Sequence, residues 1–244
     1  MARDASHHWA AGALMSRRST PGTAEVWLAT PEAASLFDPS QLDSEDRARW
    51  GAIQTRRRQA DWASSRALLS AVPNGCEQTR SLSHSHGFAA LALVPGTGGV
   101  GIDVEWQAAR DFKGMASIAY SDAERDYLES LADPEEICAT FYQFWTLKEA
   151  FAKALGLHLA DALRQCCLVD STGTRRAEVP TTQAWRATVF APRPQLRLAV
   201  VRTQKQADPV IDTIDIREWP QLRTREWPVV LDLVSSDNHA GCAW

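Results

Sequence analysis

The seven residues from Val100 to Trp106, VGIDVEW, leave the backbone little choice. Val100, Ile102, Val104 and Trp106 alternate with Gly101, Asp103 and Glu105. Side chains two apart share one face of a strand but not of a helix. The alternation therefore predicts a strand with one apolar face and one face bearing two carboxylates. Residues two apart in a strand are separated by roughly 6.6 Å, so both acids can lean onto one cation. Two or three protein oxygens, with substrate phosphates completing the shell, are a common way of holding Mg²⁺. Taken alone, the same pattern also describes a half-buried strand with a solvated acidic face.

A second stretch, Phe141 to Gly156 (FYQFWTLKEAFAKALG), has helical periodicity. Phe144, Leu147, Phe151 and Leu155 recur at spacings of three and four and form a stripe to bury. Trp145, Glu149 and Lys153 follow a neighbouring line, so Glu149 and Lys153 sit one turn apart. Gly156 is a natural stop. Alone, Glu149 and Lys153 would be an ordinary surface pair of a few tenths of a kcal/mol. Beside the acidic strand, they suggest a site for a metal and a phosphate.

GIDVE followed by WTLKEAFAK resembles the two signatures of the 4′-phosphopantetheinyl transferase superfamily, and every position of both patterns is matched. The resemblance extends more loosely from about Arg57 to Val201. It implies the larger, Sfp-like class: two similar α+β halves with pseudo-twofold symmetry in one chain and coenzyme A in the cleft between. The halves would be residues 1–95 and 96–204, with 205–244 a tail the family does not explain. It further implies transfer of the 4′-phosphopantetheine group of coenzyme A to a serine of an apo carrier protein, with release of 3′,5′-ADP. Asp103, Glu105 and Glu149 would hold Mg²⁺. Lys153 would bond the phosphate, Lys148 would assist, and Glu149 is also the candidate base. Trp145 reads mainly as packing.

The family has an arginine-rich segment that contacts coenzyme A phosphates, and Arg57 and Arg66 stand at its positions. Guanidinium forks suit phosphate oxygens. Nine residues separate the two arginines, which puts them on opposite sides of an ideal helix. Ser83 and His84 match the family's Asn-x-Ser-His-Ser stretch, which touches the nucleotide end of the cofactor; Ser81 replaces its Asn. His86 reads as bland. The family's Gly-Lys-Pro turn is missing here, the connecting segment is short, and Arg80 is a candidate substitute for the lost lysine.

The chain has 244 residues, 45% hydrophobic and 23% charged, with formal net charge −4. Nothing in that balance pulls it globally towards nucleic acid. The cysteines are Cys76, Cys138, Cys166, Cys167 and Cys242. Their odd number and the lack of any CxxC pair speak against a disulfide framework or a zinc site, and for a cytoplasmic chain. No apolar run is long enough for a secretory signal or a membrane span. His7 and His8 read as exposed. A monomer is expected from the family.

Residues 1 to about 20 read as a loose leader. Glu25–Ala29 predicts a strand. Ser44 is a candidate cap for a first helix. Thr55–Val72 predicts a second, with Trp62, Leu69 and Val72 as core. Pro73-Asn74-Gly75 reads as a turn. Gly96 to Gly101 matches GxGxxG, but it leads into the alternating strand and not a helix, so a hairpin loop is the better reading than a dinucleotide fingerprint. Ser121 and Glu124 have capping-box spacing. Trp185–Phe190 and Leu196–Val201 predict a closing hairpin. The tail repeats Arg-Glu-Trp-Pro at Arg217 and Arg225. A carrier's acidic helix would meet Arg164 or the arginines at 56–58. Two other functions fit the sequence: a non-catalytic coenzyme A or nucleotide sensor on the same fold, and a protein-interaction module.

Overall fold

A computed structural model describes residues 23–72, 78–205 and 213–235. The leader, His7, His8, Cys76, Cys242 and the Pro73-Asn74-Gly75 turn lie outside them. The fold is α+β. Strand β1 (Thr23–Ala29) leads through two 3₁₀ turns to helices α1 (Ser44–Ala52) and α2 (Arg56–Ala71), then to β2 (Gln78–Ser85) and β3 (Phe88–Pro95). Next come β4 (Val100–Trp106), α3 (Phe112–Ala119), α4 (Asp122–Ser130) and the long α5 (Pro134–Leu155). A short α6 (Leu159–Gln165) and a small ribbon, β5 (Cys167–Val169) with β6 (Arg175–Glu178), precede the hairpin β7 (Ala184–Arg193) and β8 (Leu196–Gln204). The last strands are β9 (Thr213–Trp219), β10 (Arg223–Thr224) and β11 (Val229–Val234).

The first sheet runs β10-β9-β1-β3-β2 and the second β11-β7-β8-β4. Both are built with the same connectivity: a strand, a helical crossover, then a hairpin whose second strand pairs antiparallel with the first strand. One core cluster fills the space between the sheets, with Val26, Leu28 and Ala90 facing Ile102, Val104 and Leu198. A second lies between α2 and the first sheet, and a third between α5 and the second. The layers are thus helix, sheet, sheet, helix.

Local chemistry explains the element ends. Asp43, not Ser44, caps α1, its carboxylate accepting from the Asp46 N–H at 2.8 Å. Thr55 caps α2. Helix α2 presents Ala63, Ala67 and Leu68 to the core, with Val72 just past its end, so Trp62 and Leu69 are only half-buried. The Ala/Ser composition hid the true stripe. The Ser121–Glu124 capping box forms. Asp133 caps α5, its carboxylate accepting the Glu135 N–H, and Pro134 is the first residue of the helix. Gly156 closes α5 in the left-handed region at φ 66°.

The Gly96–Gly101 stretch opens a strand, but it is not a hairpin loop: β3 and β4 belong to different sheets. Its glycines serve another purpose. A Cβ on Gly101 would lie 1.8 Å from the Ala150 carbonyl oxygen, and one on Gly99 would lie 1.9 Å from that of Ala154. These two positions let α5 lie directly on β4. Gly101→Ala should therefore cost about 3 kcal/mol or more, at the severe end of overpacking, because the clash is with backbone. A urea melt that matched wild type would contradict this close contact.

The tail completes both sheets. β9 pairs in parallel with β1, and β11 pairs antiparallel with β7. The repeated motif supplies one tryptophan to each of two core clusters: Trp219 to the α2 side and Trp227 to the space between the sheets. Buried Glu218 ties the tail across, accepting from Arg193 of β7 at 2.8 and 3.1 Å and from the Trp227 indole at 3.2 Å.

Candidate active site at the junction of the sheets

The two edge strands β2 and β4 lie side by side without sharing a ladder. On the face where β3 carries Ala92, Ala90 and Phe88, β2 carries Ser81, Ser83 and Ser85. Each serine reaches β4. The Ser81 hydroxyl accepts the Ile102 N–H at 3.1 Å, and Ser83 donates to Asp103 Oδ1 at 2.7 Å. Ser85 donates to Glu105 Oε2 at 2.8 Å and accepts the Trp106 N–H at 3.3 Å. The seam thus satisfies edge-strand N–H groups that would otherwise be unpaired.

The acidic face of β4 is turned towards α5, not solvent. Asp103 is buried, and its Oδ1 also accepts from Lys153 Nζ at 3.0 Å. Lys153 donates to the Ile102 carbonyl as well, at 2.8 Å. Burial pushes the Asp103 carboxyl above its ordinary pKa, opposed by Lys153 and Ser83. Burial, then repulsion from Asp103, pushes Glu105 up to about 7, with Glu149 adding to the effect. Glu149 is raised by burial and by Asp103, with Lys153 opposing. The three acids therefore feel one another, and one lysine does not neutralise them.

Asp103 Oδ2 is buried without a hydrogen-bond partner among the described residues. An anionic oxygen left in this way fits a cation. The donors are all carboxylates, which suits a hard ion such as Mg²⁺. Among the described residues, no three His, Cys, Asp or Glu side chains are gathered tightly enough to enclose a metal. A cation here would therefore need phosphate and water oxygens to complete its shell.

Glu105 opens onto a cleft of about 1130 Å³. Its other walls include Arg57, Arg58, Asp61 and Trp62 from α2, His84 and Ser85 from β2, and Arg110 beyond β4. Among the described residues, Arg57, Arg58 and Arg110 make no salt bridge, and Arg110 is near enough to Glu105 to attract it. His84 reaches the surface through this concave wall, and crowding by protein holds its pKa below the ordinary imidazole value.

The structure thus brings together Asp103, Glu105, Glu149, Lys153 and Ser83, and sets Arg57 and His84 along the adjoining cleft. Arg66 does not line that cleft. It is bound by Asp46 of α1, with Nε 2.7 Å from Oδ2, and lies 4.5 Å from the Trp62 ring centre. Helix α2 is continuous, so the opposed directions of Arg57 and Arg66 persist. Lys148 belongs elsewhere altogether. It is fully buried, 2.8 Å from Glu124, and also donates to the Ala119 and Leu163 carbonyls at 3.2 and 2.9 Å. It cannot assist a phosphate there. Trp145 stacks on Phe141 beside the core, as packing.

Sequence reading missed Asp61, Arg110 and Ser85. Asp61 is buried in α2 and accepts the Gly87 N–H, pinning the β2–β3 turn. His86 and Gly87 form that turn with φ of 52° and 83°, so His86 has a backbone role. An acid within an Ala/Ser helix stripe was the available signal for Asp61. Nothing in the sequence around Arg110 distinguishes it.

The Glu105 shift has a measurable consequence. Between its ordinary value of 4.5 and about 7, the folded chain holds a proton that the unfolded chain has lost. Stability therefore falls as pH rises through that window, by on the order of 3 kcal/mol in the absence of a cation. A bound cation would relieve this. Mg²⁺ should raise the melting temperature clearly at pH 8 and little at pH 5.5; equal shifts at both would contradict the coupling.

Comparison with known proteins locates this arrangement. Residues 99–206 match the model of the 4′-phosphopantetheinyl transferase superfamily. A 4′-phosphopantetheinyl transferase of Nostoc sp., HetI, is 33% identical over 113 residues, covering 46% of each chain. Another, AcpT of Salmonella typhimurium, is 32% identical over 133 residues, covering 47% of this chain and 66% of its own. The chain thus spans less than two thirds of either relative. The matched segment, with β4 and α5 at its centre, is similar to proteins of that superfamily. Among the described residues, no helix is long and apolar enough to cross a membrane.

Proposed function

We propose that this chain transfers the 4′-phosphopantetheine group of coenzyme A to a serine of an apo acyl, peptidyl or aryl carrier protein. The reaction would be Mg²⁺-dependent, release 3′,5′-ADP and take place in the cytoplasm, in the manner of a holo-carrier-protein synthase of the Sfp-like class. Residues 1–95 and 96–204 would act as two halves around the cofactor, in a monomer. The observation that carries this reading is the set Asp103, Glu105 and Glu149, with Lys153 beside Asp103, of which Glu105 opens onto a cleft that Arg57, Arg58 and Arg110 also line.

In this reading Arg57, Arg58 and Arg110 take the cofactor phosphates, and His84 adds a further hydrogen-bonding group. Asp103, Glu105 and Glu149 would hold Mg²⁺, which when bound neutralises charge on the pyrophosphate and stabilises the leaving group. Lys153 shares its charge between Asp103 and the phosphate. The carrier serine oxygen forms a bond to the β-phosphorus, and the bond from that phosphorus to the bridging oxygen breaks. The bridging oxygen keeps the electron pair and leaves as 3′,5′-ADP. The serine proton would pass to Glu149, directly or through a bound water. Positioning and charge compensation do most of the work in such a transfer.

The test is chromatography of the nucleotide products. Coenzyme A, Mg²⁺, an apo carrier panel and the protein should yield 3′,5′-ADP in equal amount to holo carrier. Coenzyme A that binds but yields no 3′,5′-ADP with any carrier would favour the sensor reading.

A further inference from the structure

The β2 serines do more than join two sheet edges. Asp103 and Glu105 each have one oxygen held by a serine hydroxyl: Oδ1 by Ser83 at 2.7 Å and Oε2 by Ser85 at 2.8 Å. The second oxygen of Asp103 is buried and has no hydrogen-bond partner among the described residues. Ser85 is itself fixed, since its oxygen also takes the Trp106 N–H at 3.3 Å and lies 3.1 Å from His86 Nδ1. Ser83 and Ser85 are 9% and 5% exposed, so water does not compete freely for these contacts.

We infer that Ser85, together with Ser83, is a positioning residue for the cation. Each serine occupies one carboxylate oxygen and so commits the other to the ligand. The site is therefore assembled across the seam, and the β4 carboxylates depend on a strand outside the matched segment 99–206. Outer hydrogen bonds of this kind set the orientation of ligating groups, and losing one commonly weakens metal binding 10–100-fold. This inference rests on the reading of Asp103 and Glu105 as cation ligands.

Ser81 provides the internal control. It bridges the same two strands, but through the Ile102 N–H and not through a carboxylate. The experiment is a Mn²⁺ titration of the full chain in the presence of coenzyme A, following free Mn²⁺ by electron paramagnetic resonance. Ser85→Ala should bind Mn²⁺ about tenfold more weakly or worse, Ser83→Ala likewise, and Ser81→Ala within about twofold of wild type. Ser85→Thr, which keeps the hydroxyl, should recover most of the affinity. Circular dichroism and thermal melts identify any variant that fails to fold. Ser85→Ala binding like wild type would overturn the inference. So would Ser81→Ala losing as much as Ser85→Ala, because the seam would then be acting only as structure. A wild-type chain that bound no Mn²⁺ would overturn both this inference and the cation reading. The expected pattern without any transfer to a carrier would leave the inference standing and count against the proposed reaction alone.

Discussion

Lys148→Ala should lower stability by about 3–5 kcal/mol, the cost of leaving one member of a buried ion pair alone. Lys148 and Glu124 both have fully buried side chains, 2.8 Å apart. Lys148 also holds the last carbonyls of α3 and α6, through Ala119 and Leu163. Glu124 accepts the Ser121 N–H at the start of α4 and the Leu168 N–H of β5, both at 2.8 Å. Four elements, α3, α4, α6 and β5, thus meet on α5 through a single pair. Glu124→Gln should be milder than Glu124→Ala, since the amide still offers an acceptor and a donor. In urea titrations, Lys148→Ala should shift the midpoint far below wild type, while coenzyme A affinity of the folded fraction stays unchanged below that midpoint. A stable Lys148→Ala chain that had lost coenzyme A binding would return the lysine to the phosphate site.

Asp103→Asn should leave the fold in place and reduce transfer by about 10²–10³-fold, the scale on which a single electrostatic stabiliser acts. The amide oxygen can still accept from Ser83 and Lys153, so the seam is preserved. What is lost is the negative charge and the orphan oxygen. Steady-state rates should fall at every Mg²⁺ concentration tested. A loss fully restored by raising coenzyme A alone would mean that Asp103 acts only in cofactor binding.

The chemistry of the site was more legible in the sequence than its geometry. Strict alternation in VGIDVEW fixed the faces of β4, and the spacing of Glu149 and Lys153 fixed their line on α5. Neither pattern said what covers the acidic face. The answer lay in Gly99 and Gly101, whose missing side chains admit α5; in sequence they resembled a loop fingerprint. Lys148 and Lys153 are five residues apart and were both assigned to phosphate. Five residues turn a helix by 140° beyond a full circle (five times 100°), so the two cannot serve one ligand equally. Arg66 was matched by position in a family segment, but its partner Asp46 lies on a separate helix that no local pattern connects to it. The tail could not be placed from sequence either, because its strands pair with β1 and β7, far away in the chain.

The most direct measurement is the intact mass of the carrier. Purified protein, coenzyme A and Mg²⁺ are incubated with a panel of apo carriers, and each carrier is weighed by mass spectrometry. The account predicts a gain of about 340 Da on at least one carrier, the phosphopantetheinyl group replacing a serine proton. The gain should vanish with chelator, with Glu149→Ala, or when the carrier serine is replaced by alanine. No gain on any carrier, from a chain that still binds coenzyme A in a Mg²⁺-dependent way, would contradict transfer and leave a cofactor sensor.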